Sequence, residues 1–513
     1  METDPGSRQN PQRIFEQGHI VEEVPFCDPL ALFAPLADEP FALFLDSSTP
    51  TTDSRWSFIA ADPFAILTVE DGTTFLNGAK QAGSGFDALN HLAEEHALPR
   101  NWWGKKPDDG QHEEDTPPFK GGFAGFIGYD MAHALETLPT RKSRQTGTPD
   151  RARDMTPDMA LGAYDCIVAF DHEKRRCFIV STGLPEKSPA ARAARAEARA
   201  AKWRARLSLR PSLAPLHWPA HAAPESIIKP ALSRTAYETR VQKVIDYIFA
   251  GDIFQANLSQ RFDANLQPGD TPLALYRRLR TLSPAPFAGF FNFGTGQLLS
   301  SSPERFLKLA DSQIETKPIK GTRPRGQTPA EDRALADDLR HSEKDHAENT
   351  MIVDLLRNDL SRVAKPGSLR VPELCTLKSF ASVHHLVSTI TATLNTGKHP
   401  VDLLKAGFPG GSITGAPKIR AMEIIHELED EDRGPYCGSL GYLTFDGDMD
   451  MNISIRTICI ANAKLSFRTG GGIVADSEPA AEYEETITKA RAMADAVRGV
   501  KAATTTQDEE DCA

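Results

Sequence analysis

A lysine stands at a constrained point of the chain, where a side-chain amine could act as a nucleophile. Lys320 lies in the segment ETKPIKGTRPRG, after a predicted strand, two residues beyond Pro318 and directly before Gly321. An unperturbed lysine, with a pKa of about 10.4, is almost wholly protonated at pH 7. Burial, or a neighbouring cation such as Arg323 or Arg325, would lower that pKa and supply the free amine. The segment alone also fits a lysine in a solvated surface turn.

Two pairs of acidic residues have the spacing that places them on one face of a helix. Asp345 and Glu348 lie in HSEKDHAENTMIVDLLRNDL, and Glu482 and Glu485 lie in SEPAAEYEETITKA, each pair at positions i and i+3. Residues at this spacing are neighbours on a helix surface. If the two faces come together, their oxygens suit Mg²⁺, which prefers a few carboxylates, waters and substrate oxygens. Each pair by itself is more typical of a solvated helix face.

Two glycine-rich segments could hold an anion through free backbone amides. Residues 410–425 (GGSITGAPKIRAMEII) lead into a predicted helix and add the polar side chains of Thr414 and Lys418. This segment is not a Walker A motif, because the pattern GxxxxGK[ST] is absent. The segment FRTGGGIVADSEP follows a predicted strand and could cradle a carboxylate, or it could be a flexible hairpin turn. Its three consecutive glycines are Gly470, Gly471 and Gly472.

His385, in the segment SVHHLVSTI, is a candidate proton-transfer group. A lone histidine in an apolar strand is more often a packed core residue, so the motif alone favours the structural role. The chain contains neither a Gly-x-Ser-x-Gly nor a Gly-x-Cys-x-Gly element. Nothing in it therefore indicates a hydrolase serine or a glutaminase cysteine.

The elements that must position these residues fall into two regions. Residues 14–207 are predicted to be rich in strands, including a strand, turn and strand over 164–181, and to end in a basic helix over 189–207. Residues 208–229 are proline-rich and predict a linker, and residues 230–500 alternate helices and strands irregularly. Residues 1–13 and 501–513 predict disordered ends. We expect an α+β fold built from layers.

Composition restricts the classes of function. Charged residues make up 25% of 513 residues and the net charge is −12, which disfavours nucleic acid and anionic membranes as partners. The basic helix over 189–207 is expected to be a solvated helix, with binding of RNA or an acidic partner as the alternative. The seven cysteines form no CxxC pair, which indicates a reducing compartment. Neither a secretory signal nor a transmembrane run is visible, so we expect a cytoplasmic protein.

Taken together, the segments closely resemble the chorismate-utilising enzyme family. The matching blocks occur in the family's order over about residues 250–490. They are GDIFQANLSQRF, SSPERFLKL, KPIKGTRPRG, AENTMIVDLLRNDLSRV, HLVSTI, GGSITGAPKIRAMEII, YCGSLGYLTFDGDMDMNISIRTI and GGGIVADSEPAAEYEETITKA. The N-terminal region fits more loosely, through FLDSS, RWSFIAADP and GFAGFIGYD. The resemblance implies a two-lobed α+β fold, with layered β-sheets flanked by helices around a central active-site cleft.

The resemblance also implies an activity. Anthranilate synthases and isochorismate-forming members look similar here but carry alanine at the position of Lys320. The lysine implies the branch that converts chorismate and ammonia to 4-amino-4-deoxychorismate, on the way to p-aminobenzoate and folate. A separate glutaminase subunit would supply the ammonia. Two alternatives stay open, an anthranilate synthase component I and a non-catalytic chorismate-binding subunit.

The family's catalytic and metal-binding residues carry over to matching positions. Lys320 would attack C2 of chorismate, and Glu304 would be the general acid for the departing C4 hydroxyl. His385 matches the active-site histidine of the family. Mg²⁺ would be the cofactor, bound by Glu348 and Glu485, with Asp345 and Glu482 close by.

The residues that would bind ligands carry over in the same way. Tyr436, Arg456 and the amides of Gly470–Gly472 would hold the enolpyruvyl carboxylate of chorismate, and Arg456 can do so with two parallel hydrogen bonds. Some family members bind tryptophan in the N-terminal region. The matching segment here contains Ser47 and Ser48, which form a candidate effector pocket.

Overall fold

The structure is a computed structural model of the chain. It describes residues 13–14, 18–49, 54–100, 102, 116–141, 156–210, 212–380 and 383–501. The ends predicted to be disordered, 1–13 and 501–513, lie almost wholly outside the described residues.

Two large antiparallel sheets form the centre of the fold, as the expected layered α+β architecture requires. The first sheet has 13 strands among the described residues. Its strands, in spatial order, are Arg13–Ile14, Ile20–Val24, Arg176–Ser181, Cys166–Asp171, Trp56–Ala60, Leu43–Asp46, Phe287–Asn292, Gly296–Ser302, Thr457–Ala461, Lys464–Ile473, Gln255–Asn265 and Lys229–Pro230, and Gly415–Ala416 pairs beside Gln255–Asn265.

The second sheet has 12 strands in the same described part of the chain. Its order is Ile319–Pro324, Val383–Thr393, Gln313–Thr316, Arg305–Ala310, Met449–Asn452, Ser439–Thr444, Gly122–Ile127, Met159–Tyr164, Ala65–Glu70, Thr73–Leu76 and Ala79–Lys80, and Arg370–Ser379 pairs with Val383–Thr393. Both sheets contain strands from residues before 208 and after 229. The predicted region boundaries therefore stay predictions, because the two regions share their sheets.

The sheets pack face to face because their strands are apolar on both sides. Successive side chains of a strand point to opposite faces. In the first sheet Phe58 packs into the core between the two sheets, where its ring lies 5.7 Å from that of Tyr442 in the second sheet. The next residue, Ile59, packs on the outer face against helices. The near-continuous apolar strands are those of a sheet covered on both faces.

The helices cover the outer faces of the sheets and begin where the sequence supplies a capping side chain. Ser233 Oγ accepts from the Ala236 amide at 3.2 Å and caps the helix Arg234–Phe249. Ser342 caps the helix Glu343–Ser361 in the same way, so this helix is separate from Pro329–Arg340. The helices are Pro29–Phe33, Gly85–Glu95, Pro189–Ser208, Arg234–Phe249, Pro272–Leu282, Pro329–Arg340, Glu343–Ser361, Pro400–Gly407, Lys418–Leu428 and Pro479–Arg498.

The basic helix predicted over 189–207 is present as Pro189–Ser208, and its arginines bind carboxylates of this same chain. Arg195 Nε lies 2.9 Å from Asp165 Oδ2, and Arg204 Nε lies 2.7 Å from Glu22 Oε2. These intramolecular pairs support neither the fully solvated helix nor a free basic surface. None of the described helices combines the length and the apolar character needed to span a membrane.

Candidate functional site

Lys320 lies on an edge strand of the second sheet, where a bulge aims its side chain. Lys320 is paired with Leu386, and Thr322 is paired with His385, so Gly321 is an extra residue in the register. Gly321 has φ of +76°, and a Cβ atom there would lie 2.9 Å from Asp345 Cγ. Only glycine fits this left-handed, crowded position.

The amine of Lys320 forms an ion pair with the expected metal ligand Glu348. Lys320 Nζ donates to Glu348 Oε1 at 2.7 Å, and both side chains are about one-seventh exposed, at 13% and 14%. Gln255 Nε2 donates to the same carboxylate oxygen at 2.8 Å. The nucleophile and the metal-binding helix predicted from separate motifs thus meet in one place.

The pKa of Lys320 departs from the expectation. Burial works to lower this pKa, but the carboxylates of Glu348, Glu304 and Glu485 outweigh burial and raise it. The expected cations Arg323 and Arg325 pair with Asp338 and Asp332, and they are not among the leading causes of the Lys320 pKa shift. The prediction of a lowered pKa is therefore wrong for the protein without substrate, in which Lys320 is an ammonium.

Glu304 is a buried carboxyl suited to hold a proton. It is 8% exposed, and Ser412 Oγ donates to its Oε1 at 2.9 Å. Burial raises the pKa of Glu304, and the Ser412 hydrogen bond offsets only part of that rise. Glu304 also acts electrostatically on Lys320, so the candidate acid and the candidate nucleophile share one site.

The three consecutive glycines form part of a strand, and the predicted hairpin-turn alternative is wrong. Gly470, Gly471 and Gly472 pair with residues 259, 258 and 257 of the strand Gln255–Asn265. A Cβ atom on Gly472 would lie 2.0 Å from Gln255 Nε2 and 2.9 Å from Glu348 Oε1. A side chain at this position would therefore displace the groups that surround Lys320.

Carboxylates of the two predicted acidic pairs face the same glycines. The Cβ position of Gly471 lies 3.0 Å from Glu482 Oε2 and 3.5 Å from Glu485 Oε1, while Glu348 approaches that of Gly472. Each carboxylate has another partner: Lys320 for Glu348, Ser477 for Glu482 and Lys489 for Glu485.

Within the described residues, no group of three or more histidine, cysteine or acidic side chains has closed into a metal site. The oxygen donors are nevertheless of the type that Mg²⁺ binds, and they lie beside the backbone of Gly471 and Gly472. The magnesium site at Glu348 and Glu485, with Glu482 close by, therefore stays a prediction, and the fourth candidate is differently placed. Asp345 pairs with Arg323 at 3.3 Å.

His385 and Arg456 lie at the other side of the site. His385 Nδ1 is 2.9 Å from Thr322 Oγ1. Burial, with a smaller contribution from the nearby charge of Arg456, lowers the pKa of His385 to about 4, so the ring is neutral at pH 7. Burial lowers the pKa of Arg456 as well. Among the described residues the Arg456 side chain has no recorded carboxylate partner, which leaves its guanidinium for an anion.

Tyr436 is buried, with an exposure of 7%, and lines a cavity of about 940 Å³ together with Arg433 and Thr457. Its ring lies 5.7 Å from the guanidinium carbon of Arg433. Burial raises the pKa of the Tyr436 phenol, so the hydroxyl stays protonated and can donate to a carboxylate.

Two predicted anion-binding residues have other contacts. Lys418 Nζ binds Asp359 Oδ2 at 2.6 Å and the Gly407 carbonyl at 3.0 Å, so its ammonium is already satisfied. The hydroxyl of Thr414 donates to the Gly410 carbonyl at 3.0 Å. These contacts do not test substrate binding, which stays a prediction for both residues.

Ser47 and Ser48 lie away from this site. Ser47 Oγ donates to the Trp56 carbonyl at 2.6 Å, and Ser48 Oγ donates to the Ala285 carbonyl at 3.0 Å. Ser47 borders a separate cavity of about 510 Å³ between the two sheets. The effector pocket stays a prediction.

Sequence analysis missed two residues that orient the predicted ones, Gln255 and Ser412. Gln255 occupies a strand in which Gln255, Asn257 and Ser259 are all buried. Polar residues at every second position of a strand therefore share one face, and this alternation could have identified Gln255. No local pattern identifies Ser412, because its partner Glu304 is remote in the chain.

The buried lysine, the buried acid and the carboxylates beside a glycine strand agree with the family indicated by the motifs. Residues 41–495 match the family described as chorismate binding enzyme. The chain belongs to this family of chorismate binding enzymes.

Two relatives are similar to this chain over nearly its whole length. The chain is 42% identical over 459 residues to aminodeoxychorismate synthase component 1 of Klebsiella aerogenes, covering 89% of this chain and 94% of the relative. It is 38% identical over 481 residues to anthranilate synthase component 1 of Thermus thermophilus, covering 92% and 96%.

A solved structure confirms the fold. The crystal structure of anthranilate synthase component I from Streptococcus pneumoniae TIGR4 superposes with a TM-score of 0.72 at 33% identity. The match covers 87% of this chain and 93% of that one.

Proposed function

We propose that this chain is an aminodeoxychorismate synthase component 1, which converts chorismate and ammonia to 4-amino-4-deoxychorismate and water. The observation that carries this proposal is Lys320, a partly buried amine that lies 2.7 Å from Glu348 in the family's catalytic cleft. The chain is 42% identical to aminodeoxychorismate synthase component 1 of Klebsiella aerogenes. The product would feed the synthesis of p-aminobenzoate and folate in the cytoplasm.

The reaction would proceed in two substitutions. Lys320 Nζ first loses its ammonium proton to solvent. It then forms a bond to ring carbon C2 while the two ring double bonds shift and the C4–oxygen bond breaks. Glu304 gives its proton to the departing hydroxyl, which leaves as water. Ammonia then bonds to C4, the double bonds shift back, and the C2–Lys320 bond breaks, which returns Lys320 as a free amine. The ammonium group formed at C4 gives one proton back to the Glu304 carboxylate.

The charged groups of chorismate would be held on two sides. Arg456 would bind the enolpyruvyl carboxylate, with a hydrogen bond from Tyr436 and the amides near Gly470. Bound Mg²⁺ would neutralise the ring carboxylate at the glutamates that line Gly471 and Gly472. His385 is neutral and borders Arg456, where it can accept or donate one hydrogen bond without adding charge.

Ammonia would come from a second, glutamine-hydrolysing subunit, as the words "component 1" in the relatives' names imply. Free ammonium in solution should replace that subunit at high concentration. This property allows the chain to be tested alone.

Product identification tests the proposal. The purified chain is incubated with chorismate, ammonium and Mg²⁺, and the product is identified by chromatography with mass spectrometry. We expect 4-amino-4-deoxychorismate without anthranilate. Chelation by EDTA should stop turnover, and added Mg²⁺ should restore it. EDTA-resistant turnover would contradict the magnesium proposal but not the reaction.

A matched pair of variants tests the metal ligands separately. Glu485→Gln removes a carboxylate that faces Gly471, and Glu484→Gln removes an adjacent exposed one that pairs with Arg234. We expect Glu485→Gln to raise the Mg²⁺ concentration needed for half-maximal activity and Glu484→Gln to leave it unchanged. Equal behaviour of the two variants would argue against a metal at this face.

Anthranilate synthase component I is the second candidate, because such relatives reach 38% identity over nearly the whole chain. Anthranilate is strongly fluorescent, so its direct release from chorismate and ammonium would be seen at once. That result would replace the proposed activity with this one.

A further inference from the structure

A buried charged cluster lies behind the glycine strand of the site. Its centre is Glu429, which is 2% exposed and lies between two arginines. Glu429 Oε1 accepts from Arg433 Nη2 at 2.8 Å, and Oε2 accepts from Arg468 Nη2 at 3.0 Å. The Ser259 amide and hydroxyl also donate to Oε1, at 2.9 and 2.8 Å. Fully bonded buried charges of this kind hold their surroundings rigidly.

Arg433 reaches beyond the cluster with the rest of its guanidinium. Its Nη1 donates to the Ile413 carbonyl at 3.0 Å, and its Nη2 donates to the Asn257 carbonyl at 2.5 Å. The guanidinium also lies over the ring of Tyr436. A planar guanidinium can bond several acceptors in fixed directions, which a lysine ammonium cannot do.

The two carbonyls belong to the two halves of the site. Ile413 follows Ser412, whose hydroxyl holds the carboxyl of Glu304. Asn257 lies two residues after Gln255, whose amide holds Glu348. Asn257 also bonds the Ile413 carbonyl through its own side chain at 3.1 Å. A single buried arginine thus joins the backbone behind the proton donor to the backbone behind the lysine's partner.

We propose that Arg433, fixed by Glu429, is a positioning residue for the reaction, which sets the distance between the Ser412–Glu304 pair and the Gln255–Glu348 pair. This inference rests on the proposed function. Arg433 touches neither Lys320 nor Glu304, so it acts through the carbonyl groups of Ile413 and Asn257. A small misplacement of a catalytic group can reduce a rate about 100-fold.

The substitution Arg433→Lys keeps the positive charge beside Tyr436 and removes the planar guanidinium that bonds the two carbonyls. With chorismate and saturating ammonium, we expect kcat to fall about 10- to 100-fold, while the KM for chorismate changes less than about threefold. The matched control is Arg278→Lys. Arg278 is fully buried, binds Asp270 and donates to the Ala496 carbonyl at 2.8 Å. Ala496 lies at the C-terminal end of the helix Pro479–Arg498, and Glu482 lies at the other end. The control should lose similar thermal stability and keep its kcat.

A double-mutant cycle with Ser412→Ala tests the route. Because Ser412→Ala already releases Glu304, adding Arg433→Lys should cost a smaller factor in kcat there than in the wild-type background. Glu429→Gln weakens only the ion pair that fixes Arg433, so it should lower kcat less than Arg433→Lys. Its kcat tests the proposal if Arg433→Lys folds poorly.

The outcomes separate the two proposals. A wild-type chain that does not convert chorismate with ammonium would overturn the proposed function and this inference together. A wild-type chain that does convert it, beside an Arg433→Lys variant with unchanged kcat or with only a raised KM, would overturn the inference alone. Full additivity with Ser412→Ala would also overturn it.

Discussion

Arg456 at the site and Arg199 on the helix Pro189–Ser208 both lie mostly out of solvent, yet their surroundings differ. Arg199 lies 3.1 Å from Asp165 and also binds Asp62. Arg456 has no recorded carboxylate partner among the described residues, and burial lowers its pKa. The first arginine is compensated within the fold and the second is left for an anion. This difference agrees with the prediction that Arg456 binds a carboxylate of the substrate.

The two buried acids differ in their contacts, although burial raises the pKa of both. Asp165 is fully buried but bonded by Arg195, and Arg199 lies beside it. Glu304 is almost as buried, and its recorded side-chain partner is the neutral hydroxyl of Ser412. Leaving a carboxyl without a cation in contact favours its protonated form, which a general acid needs.

The largest expected effect comes from Lys320. Lys320→Ala removes the nucleophile, so 4-amino-4-deoxychorismate formation from chorismate and ammonium should fall below detection. The control is Lys317→Ala, which removes a neighbouring lysine that pairs with Glu315 instead. Wild-type-like product formation by Lys320→Ala would refute the covalent proposal.

The next effect concerns Glu304 and pH. Its pKa is raised by burial, so the carboxyl keeps its proton to higher pH than an ordinary glutamate. Activity that needs this proton is present below the raised pKa and is lost as pH rises through it. Glu304→Gln should reduce kcat about 100- to 10,000-fold, the usual contribution of a general acid.

The pH profile of kcat tests whether Glu304 is the general acid. In the wild-type chain the alkaline limb should report the loss of the proton from Glu304. Residual turnover by Glu304→Gln should lack that limb. A variant that keeps the limb unchanged would show that another group supplies the proton.

A smaller effect tests the comparison of the two arginines directly. Arg199→Met strands the buried Asp165 beside Arg195 alone, so the melting temperature should fall while kcat/KM is unchanged. Arg456→Met removes an uncompensated cation, so the melting temperature should hold or rise. Its kcat/KM for chorismate should fall about 30- to 160-fold, as expected for a lost charge-assisted hydrogen bond worth about 2 to 3 kcal/mol.

Thermal melts and steady-state kinetics on both variants provide the measurement. The comparison fails if Arg456→Met melts well below the wild type while binding chorismate normally. Such a result would mean that Arg456 stabilises the fold and does not await an anion.

Much of the fold could be predicted from local patterns. The strand, turn and strand expected over 164–181 form the hairpin of Cys166–Asp171 and Arg176–Ser181. Asp171 Oδ1 accepts from the Glu173 and Lys174 amides at 3.1 and 3.2 Å and so shapes the turn. The order of the strands could not be predicted in this way, because early and late strands alternate within both sheets.

The candidate site could also be predicted only in part, because its residue types follow from local patterns and its contacts do not. The types and spacing of Lys320 and Glu348 predict a nucleophile and a metal-binding face. They do not predict that the two side chains pair, which reverses the expected direction of the Lys320 pKa. The sequence predicts that Lys418 binds an anion of the substrate. It does not show that Lys418 pairs with Asp359, which lies 59 residues earlier in the chain. Contacts between residues so far apart leave no local signal.

The central claim, that Lys320 bonds to the ring of chorismate, is tested most directly by intact-protein mass spectrometry. The chain is mixed with chorismate and Mg²⁺ without ammonia and quenched rapidly. We predict a mass increase equal to chorismate less one water, located on Lys320 by peptide mapping and absent from Lys320→Ala. Turnover with ammonium but no adduct on Lys320 under these conditions would contradict the account.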